Sequence, residues 1–132
     1  MKIEHLVMHP IQLEKVEVVK ILAEKYNDNI DRKINIGANI EGECLTETSG
    51  VSKVELEVSN KNFKIEITTL GHFSFENDFE DNKVIEKFLE TQGVRIMWSY
   101  IRENLYTISS KMVDHPIMLP TIDVIKTLEH AK

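Results

Sequence analysis

Residues 99–123, SYIRENLYTISSKMVDHPIMLPTID, decide how the rest of the chain has to be organised. The stretch begins as an amphipathic helix that carries both signs of charge. The helical pattern breaks at His115-Pro116. Residues 114–120 are expected to be extended, because each proline restricts its own backbone and that of the residue before it. A long helix followed by a stiff apolar segment is not a catalytic arrangement, so its role must come from the surfaces it presents.

The composition bounds the class of protein. A chain of 132 residues has the length of one domain, and its 42% hydrophobic residues can bury a modest core. The net charge of -6 argues against nucleic-acid binding, which relies on a basic face. Cys44 is the one cysteine, so an intrachain disulfide is excluded and a reducing compartment is expected. Without a signal-peptide pattern or a long apolar run, we expect a soluble, cytoplasmic protein with no membrane insertion.

Up to about residue 76 the sequence shows the period-two alternation of strands with one buried and one exposed face. The clearest runs are Ile34–Ile40, Val54–Val58 and Phe63–Ile67, with a resumption at Phe73 and Phe75 and a partial run at residues 12–18. Turn residues occur at Thr48-Ser49-Gly50 and Asn60-Lys61-Asn62. We predict four antiparallel strands, with a longer connection around Asn27–Arg32 that could be a crossover rather than a hairpin.

Beyond residue 76 the hydrophobic period changes to that of helices. NDFEDN (77–82) offers helix N-caps, and a short apolar stripe (Val84, Ile85, Phe88, Leu89) follows until Gly93 ends or kinks the helix. A longer stripe then predicts about 28 Å of helix: Val94, Met97, Ile101, Leu105, Ile108 and Met112. A short last helix begins at Thr121-Ile122-Asp123. Strands first and helices second predict an α+β domain over residues 1–132, a four-stranded sheet (1–76) with the helices and the proline-bearing segment (77–132) on one face.

The sequence offers little support for an enzyme. His5 and His9 would lie about 13 Å apart on an extended chain, which is too far for one metal ion, so surface histidines are the better interpretation. Cys44 is predicted to be a buried small hydrophobe rather than a nucleophile, and acidic pairs such as Glu41/Glu43 share a solvated sheet face. The five glycines are scattered and form no phosphate-binding loop. We therefore expect no catalytic residues, no metal and no cofactor.

The predicted long helix has a second apolar flank, formed by Ile96, Trp98 and Tyr100. Trp98 and Tyr100 point about 200° apart on a helix, so both cannot face the sheet, and we expect one in the core and the other at a subunit contact or groove wall. Large exposed apolar patches usually indicate a protein partner. Core packing, self-association and binding of another protein all remain open for this flank.

Two stretches resemble the SecB family of protein-export chaperones: EITTLGHFSFE (66–76) and VIEKFLETQGVRIMWSYIRENLYTISSKMVDHPIMLPTIDV (84–124). The family pattern has a last strand ending in glycine and an aromatic, a short helix, and a long helix opening with aliphatic–aromatic–x–Tyr–x–Arg–Glu. Met97–Glu103 carries that core, and Leu119-Pro120-Thr121-Ile122-Asp123 carries the end of the pattern. Ser99 stands where the family commonly has proline, and Asp123 or Val124 stands where it has an aromatic. The specific match covers roughly the C-terminal half.

The resemblance implies an ATP-independent chaperone, a holdase, that binds unfolded polypeptides without a cofactor. It implies a dimer or tetramer assembled through strands and helices, and a groove beside the long helix and the tail. Apolar side chains in flexible surroundings suit such a groove because they adapt to varied partners. The candidate groove residues are Tyr26, Ile30, Phe79, Phe88, Met112, Ile117 and Met118, with core packing as the alternative for each.

The resemblance leaves the destination of the client open. Glu66 corresponds to an acidic sheet position through which family members dock on the SecA translocase motor, but Lys15 stands where another acid would align, and the sequence shows no extended C-terminal tail. The client could be a pre-secretory polypeptide or an antitoxin, as for SecB-like members associated with a toxin–antitoxin pair. The alternative function is a dedicated adaptor or assembly subunit that reuses the fold to bind one folded partner.

Overall fold

The alternating stretches form one four-stranded antiparallel sheet in a computed structural model that describes residues 1–29, 31–76 and 81–130. The strands are β1 (Ile11–Lys25), β2 (Asn35–Thr46), β3 (Ser49–Ser59) and β4 (Phe63–Phe75). Their order across the sheet is β1-β4-β3-β2, so β1 and β2 are the two edges. The prediction of four antiparallel strands in an α+β domain is confirmed.

The connection from β1 to β2 is a crossover, as one of the two predicted alternatives had it, because β1 and β2 lie at opposite edges. The turn between β3 and β4 holds it in place. Asn62 accepts a hydrogen bond from the backbone N–H of Tyr26 through its carbonyl oxygen (2.7 Å), and the amide of Asn60 donates to the carbonyl of Asp31 (3.1 Å). The β2–β3 hairpin turns at residues 47–48, so the predicted turn residues Ser49 and Gly50 already belong to β3.

The two faces of the sheet differ in chemistry because successive side chains point to opposite sides. On β3 the side chains of Val54, Leu56 and Val58 are buried, and they alternate with partly or fully exposed Glu55 and Glu57. The covered face of the two central strands packs under the helices. The opposite face, which we call the outer face, carries most of the charged residues of the strands.

The helices follow the predicted order with shifted ends. They are α1 (Asn82–Glu90), α2 (Gln92–Ser110) and α3 (Val124–His130). Asp81 caps α1 by accepting a hydrogen bond from the backbone N–H of Lys83, whereas residues 77–80 of the predicted cap region lie outside the described residues. Gly93 was predicted to end or kink the helix, and it does not end it, because α1 ends at Glu90 and Gly93 lies inside α2. The interruption between the two helices falls at Thr91, two residues before Gly93. Met112 lies beyond the end of α2, in the segment that leads to Pro116 and Pro120.

Small residues on one rung of the sheet let the helices approach its backbone. Gly42, Ser52 and Gly71 are cross-strand neighbours on β2, β3 and β4. A Cβ atom on Gly42 would lie 2.8 Å from the Cβ of Leu89, and one on Gly71 would lie 2.5 Å from the sulfur of Met97. Between them, the hydroxyl of Ser52 donates a 2.6 Å hydrogen bond to the carbonyl of Leu89, near the end of α1. The junction of α1 and α2 therefore sits directly on this rung.

We expect Gly71→Ala to destabilise the fold, because the added methyl group would overlap the buried side chain of Met97. Overpacking of this kind typically costs about 1–3 kcal/mol. Gly37→Ala is the matched control, since a Cβ at Gly37 on edge strand β2 meets no atom within 4 Å. Urea unfolding of both variants measures the difference, and equal midpoints would contradict the close approach at Gly71.

Candidate polypeptide-binding and self-association surfaces

Helix α2 presents three surfaces, which follow from the 100° step between successive residues. Its buried face carries Val94, Met97, Ile101 and Leu105, and all four are fully covered. One flank carries Trp98 and Arg102, and the opposite flank carries Ile96 and Tyr100. The two flanks have different neighbours in the structure, so the sequence-predicted group of Ile96, Trp98 and Tyr100 is divided between them.

The flank with Trp98 holds the tail, which we define as residues 111–123. The indole N–H of Trp98 donates to the carbonyl of Pro120 (3.1 Å), and Nε of Arg102 donates to the carbonyl of Leu119 (2.7 Å). Close to the C-terminal end of α2, the Ser109 hydroxyl accepts a buried 2.8 Å hydrogen bond from the backbone N–H of Ile117. An extended tail has no hydrogen-bond ladder of its own, so these side chains of α2 fix its path.

The tail alternates between core and surface. Ile117 and Leu119 are buried in the core, whereas Met118 between them is exposed. Ile117 is therefore not available as a groove wall in a single chain, although it was among the candidate groove residues. Met112 is half-buried against the core, so part of its side chain is accessible.

The opposite flank of α2 forms a cleft with β1, which we call the β1–α2 cleft. Its volume is about 420 Å³, and it is lined by Leu13, Glu14, Lys15, Val16, Val18, Tyr100, Glu103 and Asn104. Val18 and Ile21 of β1 point to the covered face, yet α2 leaves both exposed, and Tyr100 and Ile96 are exposed on the helix side. The cleft thus combines apolar side chains with a polar rim.

The candidate groove residues lie at two ends of the molecule. Phe88 of α1 packs edge-to-face on Phe73, with 6.0 Å between ring centroids. Tyr26 follows Lys25, whose partner across the strands is Phe63, ten residues and about 33 Å along β4 from Phe73. Ile30 and Phe79 lie outside the described residues.

Tyr26 and the far end of α2 belong to the same end of the sheet. Asp28 raises the pKa of Lys25 through a hydrogen bond and its charge, and Asp114, just beyond α2, adds a smaller attraction. Tyr26 and Met118 are 55% and 67% exposed, which makes them the most accessible of the described groove candidates. A groove that joined both ends would run along the whole of α2.

Glu66, the candidate motor-docking residue, lies on the outer face between two lysines. Its carboxylate forms ion pairs with Lys20 (3.0 Å) and Lys64 (3.1 Å). Hydrogen bonds from these two lysines, that of Lys20 first, hold the pKa of Glu66 below its ordinary value. Neighbouring acids on this face are paired as well, for instance Glu55 with Lys53. Much of the negative charge is therefore neutralised locally.

The surroundings of Cys44 and His9 do not favour reactivity. Cys44 is half-buried against the core, and burial, with a smaller effect from Glu86, raises the pKa of its thiol and disfavours the reactive thiolate. His9 accepts a hydrogen bond from the backbone N–H of Ile11, and its ring packs on Phe88. In the described ranges, no group of three histidine, cysteine or acidic residues could hold a metal ion. No helix in the same ranges is long and apolar enough to cross a membrane.

Two groups of residues in these surfaces were missed at the sequence level. Arg102 and Ser109 were seen as part of an amphipathic helix, and only the path of the tail reveals them as its anchors. Val18 and Ile21 were missed because β1 contains irregularities between Leu13 and Lys15 and between Val18 and Lys20. Each adds one residue and breaks the strict alternation, so the covered face could not be read from a simple period of two.

The sheet order, the long helix and the docked tail define a SecB-like fold. A solved structure of a SecB-like chaperone from Mycobacterium tuberculosis, in complex with a ChAD peptide from the HigA1 antitoxin, is similar with a TM-score of 0.75. The similarity covers 86% of this chain and 91% of that one at 11% sequence identity.

A protein of unknown function from Streptococcus agalactiae is similar with a TM-score of 0.54 and 14% identity, over 83% of this chain and 96% of that one. No family model and no curated protein matches the sequence.

We expect Ser109→Ala to lower stability by about 1–3 kcal/mol, because it leaves the buried N–H of Ile117 without its acceptor. Hydrogen exchange should also show faster exchange in the tail. Ser110→Ala is the matched control, since the exposed Ser110 hydroxyl bonds only within α2, to the carbonyl of Thr107. The control should stay within about 0.5 kcal/mol of the wild type. Similar losses in both variants would show that Ser109 does not anchor the tail.

Proposed function

We propose that this protein is an ATP-independent chaperone, a holdase, that binds unfolded polypeptides. The observation that carries the proposal is the apolar surface left exposed along α2, in a chain with the fold of SecB-like chaperones. Unfolded chains expose apolar side chains and unpaired backbone groups, and an apolar groove beside open strand edges can bind both without reading sequence. The role needs no catalytic group and no cofactor.

The proposed client groove follows α2 and the tail. At one end it includes Tyr26, which follows β1, and Met112, just beyond α2. Met118 joins it from the tail, between Ile117, which is held by Ser109, and Leu119, which is held by Arg102. At the other end it approaches Phe88, whose ring is partly accessible between Phe73 and His9. Ile30 and Phe79 remain proposed members from the sequence. An extended polypeptide of about ten residues would span this length at roughly 3.3 Å per residue.

Of the two possible clients, we propose an antitoxin segment rather than a pre-secretory polypeptide. The M. tuberculosis SecB-like chaperone was solved with an antitoxin peptide. Delivery to the SecA motor has weaker support, because the carboxylate of Glu66 is shared by Lys20 and Lys64 and is a poor anchor for a basic partner surface. The cytoplasm is the proposed site of action, since Cys44 is a free thiol of a type that persists in reducing compartments.

Aggregation of a thermally unfolded model client tests the holdase directly. The wild type should suppress light scattering at near-stoichiometric ratio without ATP. A Tyr26→Ser/Met118→Ser variant should weaken client binding by about tenfold, because two apolar side chains that would pack on the client are replaced by small polar ones. Leu45→Ser is the matched control, since Leu45 is similarly exposed but lies at the end of β2; it should protect the client as the wild type does.

The outcomes separate the alternatives. No suppression by the wild type would contradict the holdase and favour a dedicated adaptor for one folded partner. Full suppression by the double variant would show that clients bind elsewhere on the chain. Because both replaced side chains are exposed, unfolding temperatures close to the wild type should accompany the weaker protection.

We also propose that copies of this chain associate through the flank of α2 that carries Ile96 and Tyr100, as a dimer or tetramer. Trp98 lies on the other flank of α2, where its indole N–H donates a hydrogen bond to the carbonyl of Pro120 in the tail of the same chain. Exposed aromatic and aliphatic side chains beside an open strand edge are typical of protein interfaces. In sedimentation, a species larger than the 15.3 kDa chain at micromolar concentration is the expected result; a clean monomer would contradict it.

A further inference from the structure

Residues 2–8, which we call the arm, precede β1 and carry an unusual amount of exposed apolar surface. Ile3, Leu6, Val7 and Met8 are all exposed, Leu6 and Val7 at 85% and 97%. The chain contacts the domain at His9, directly after the arm, where the ring of His9 packs on Phe88 with 5.1 Å between ring centroids. Four large apolar side chains in seven residues would normally be covered by a partner.

The β1–α2 cleft has the chemistry to cover them. Leu13, Val16, Val18 and Tyr100 supply apolar walls, and the rim carries Glu14, Glu103 and Lys15. The arm carries one charge of each sign, on Lys2 and Glu4. These two side chains form an exposed ion pair, which can exchange partners at little cost in free energy. Apolar side chains of the arm can therefore enter the cleft while its charged side chains meet the rim.

We propose that the arm of one copy docks in the β1–α2 cleft of a second copy, and that the exchange is mutual. The exchange rests on the self-association proposed above and names the segment that covers Tyr100. Identical copies each have one arm and one cleft, so two exchanges close a symmetric dimer.

The arm is long enough to cover the floor of the cleft. An extended segment of seven residues spans about 23 Å, and the floor of the cleft from Leu13 to Val18 spans about 17 Å. Within the described residues β1 pairs with β4 alone, so its other edge offers backbone groups that an extended arm can bind. Edge strands of this length are normally covered or blunted.

A second copy is the better source of the arm than the same chain. The chain runs from His9 through Pro10 directly into β1, where Ile11 is already buried and paired with Phe75. To enter its own cleft, the arm would have to reverse at Pro10 and run back over the strand that it leads into. That path would also break the packing of His9 on Phe88 and the hydrogen bond from the Ile11 N–H.

Sedimentation of a Leu6→Ser/Met8→Ser variant tests the exchange. The dimer Kd should rise by about tenfold or more for each apolar side chain replaced, shifting the protein towards the 15.3 kDa monomer. Ile34→Ser is the matched control, since Ile34 is exposed in the crossover rather than in the arm, and it should leave the mass unchanged. A wild-type monomer would overturn self-association as a whole. A variant that keeps the wild-type mass would overturn the arm exchange and leave self-association standing.

Cysteine cross-linking tests the location. In a Cys44→Ser background, Val7→Cys combined with Glu103→Cys should form an interchain disulfide under mild oxidation, because a disulfide requires Cα atoms within about 7 Å. Val7→Cys combined with Ser99→Cys is the control, since Ser99 lies on α2 outside the cleft lining. A dimer band with the first pair and none with the second supports the exchange. A disulfide within one chain, or equal cross-linking of both pairs, would overturn it.

Discussion

The close contact between the α1–α2 junction and one rung of the sheet is the constraint on which the structure depends. On this rung, Gly42 and Gly71 place no side chain between the strands and the helices, and Ser52 places only a hydroxyl, which bonds to the carbonyl of Leu89. Gly93 continues this contact from the helix side, because a Cβ there would lie 2.6 Å from the Ser52 oxygen. With its first turn fixed at this depth, α2 has one direction along the covered face. The position of both flanks follows from that direction.

The two flanks of α2 differ in what they contact. On one side, hydrogen bonds from Trp98 and Arg102 to tail carbonyls use side chains to replace the backbone ladder that an extended segment lacks. On the other side, the helix stops short of β1 and leaves the β1–α2 cleft with Tyr100 at its wall. A sheet wider than the helix that covers it leaves apolar residues exposed at its edges, and Val18 and Ile21 are such residues at the β1 edge. The surface proposed for self-association arises from this difference in width.

The sequence was sufficient for the sheet and the helices, because each rests on a repeating pattern, and for the family likeness, because residues 66–76 and 84–124 carry its motif. The central strands of the sheet alternate strictly, and α2 keeps its stripe over five turns. The differences fall where packing decides the role of a residue: Gly93 was interpreted as a helix end or kink, and the structure places it inside α2 at a point of close approach to Ser52 and Phe73. The candidate site was harder to predict. Whether Ile117 or Met118 faces solvent depends on how the tail docks, and the irregularities in β1 hide Val18 and Ile21 from a strict period of two.

The alternation of the tail has a consequence for how such a protein can diverge. Ile117 and Leu119 are tied to the fold by burial and by hydrogen bonds of their backbone groups to Ser109 and Arg102, whereas Met118 between them is bound by neither. Changes at Ile117 or Leu119 must therefore be selected against as losses of stability, while Met118 can vary at almost no structural cost. A lineage could alter which polypeptides the proposed groove binds by drift at this exposed position, with the core unchanged.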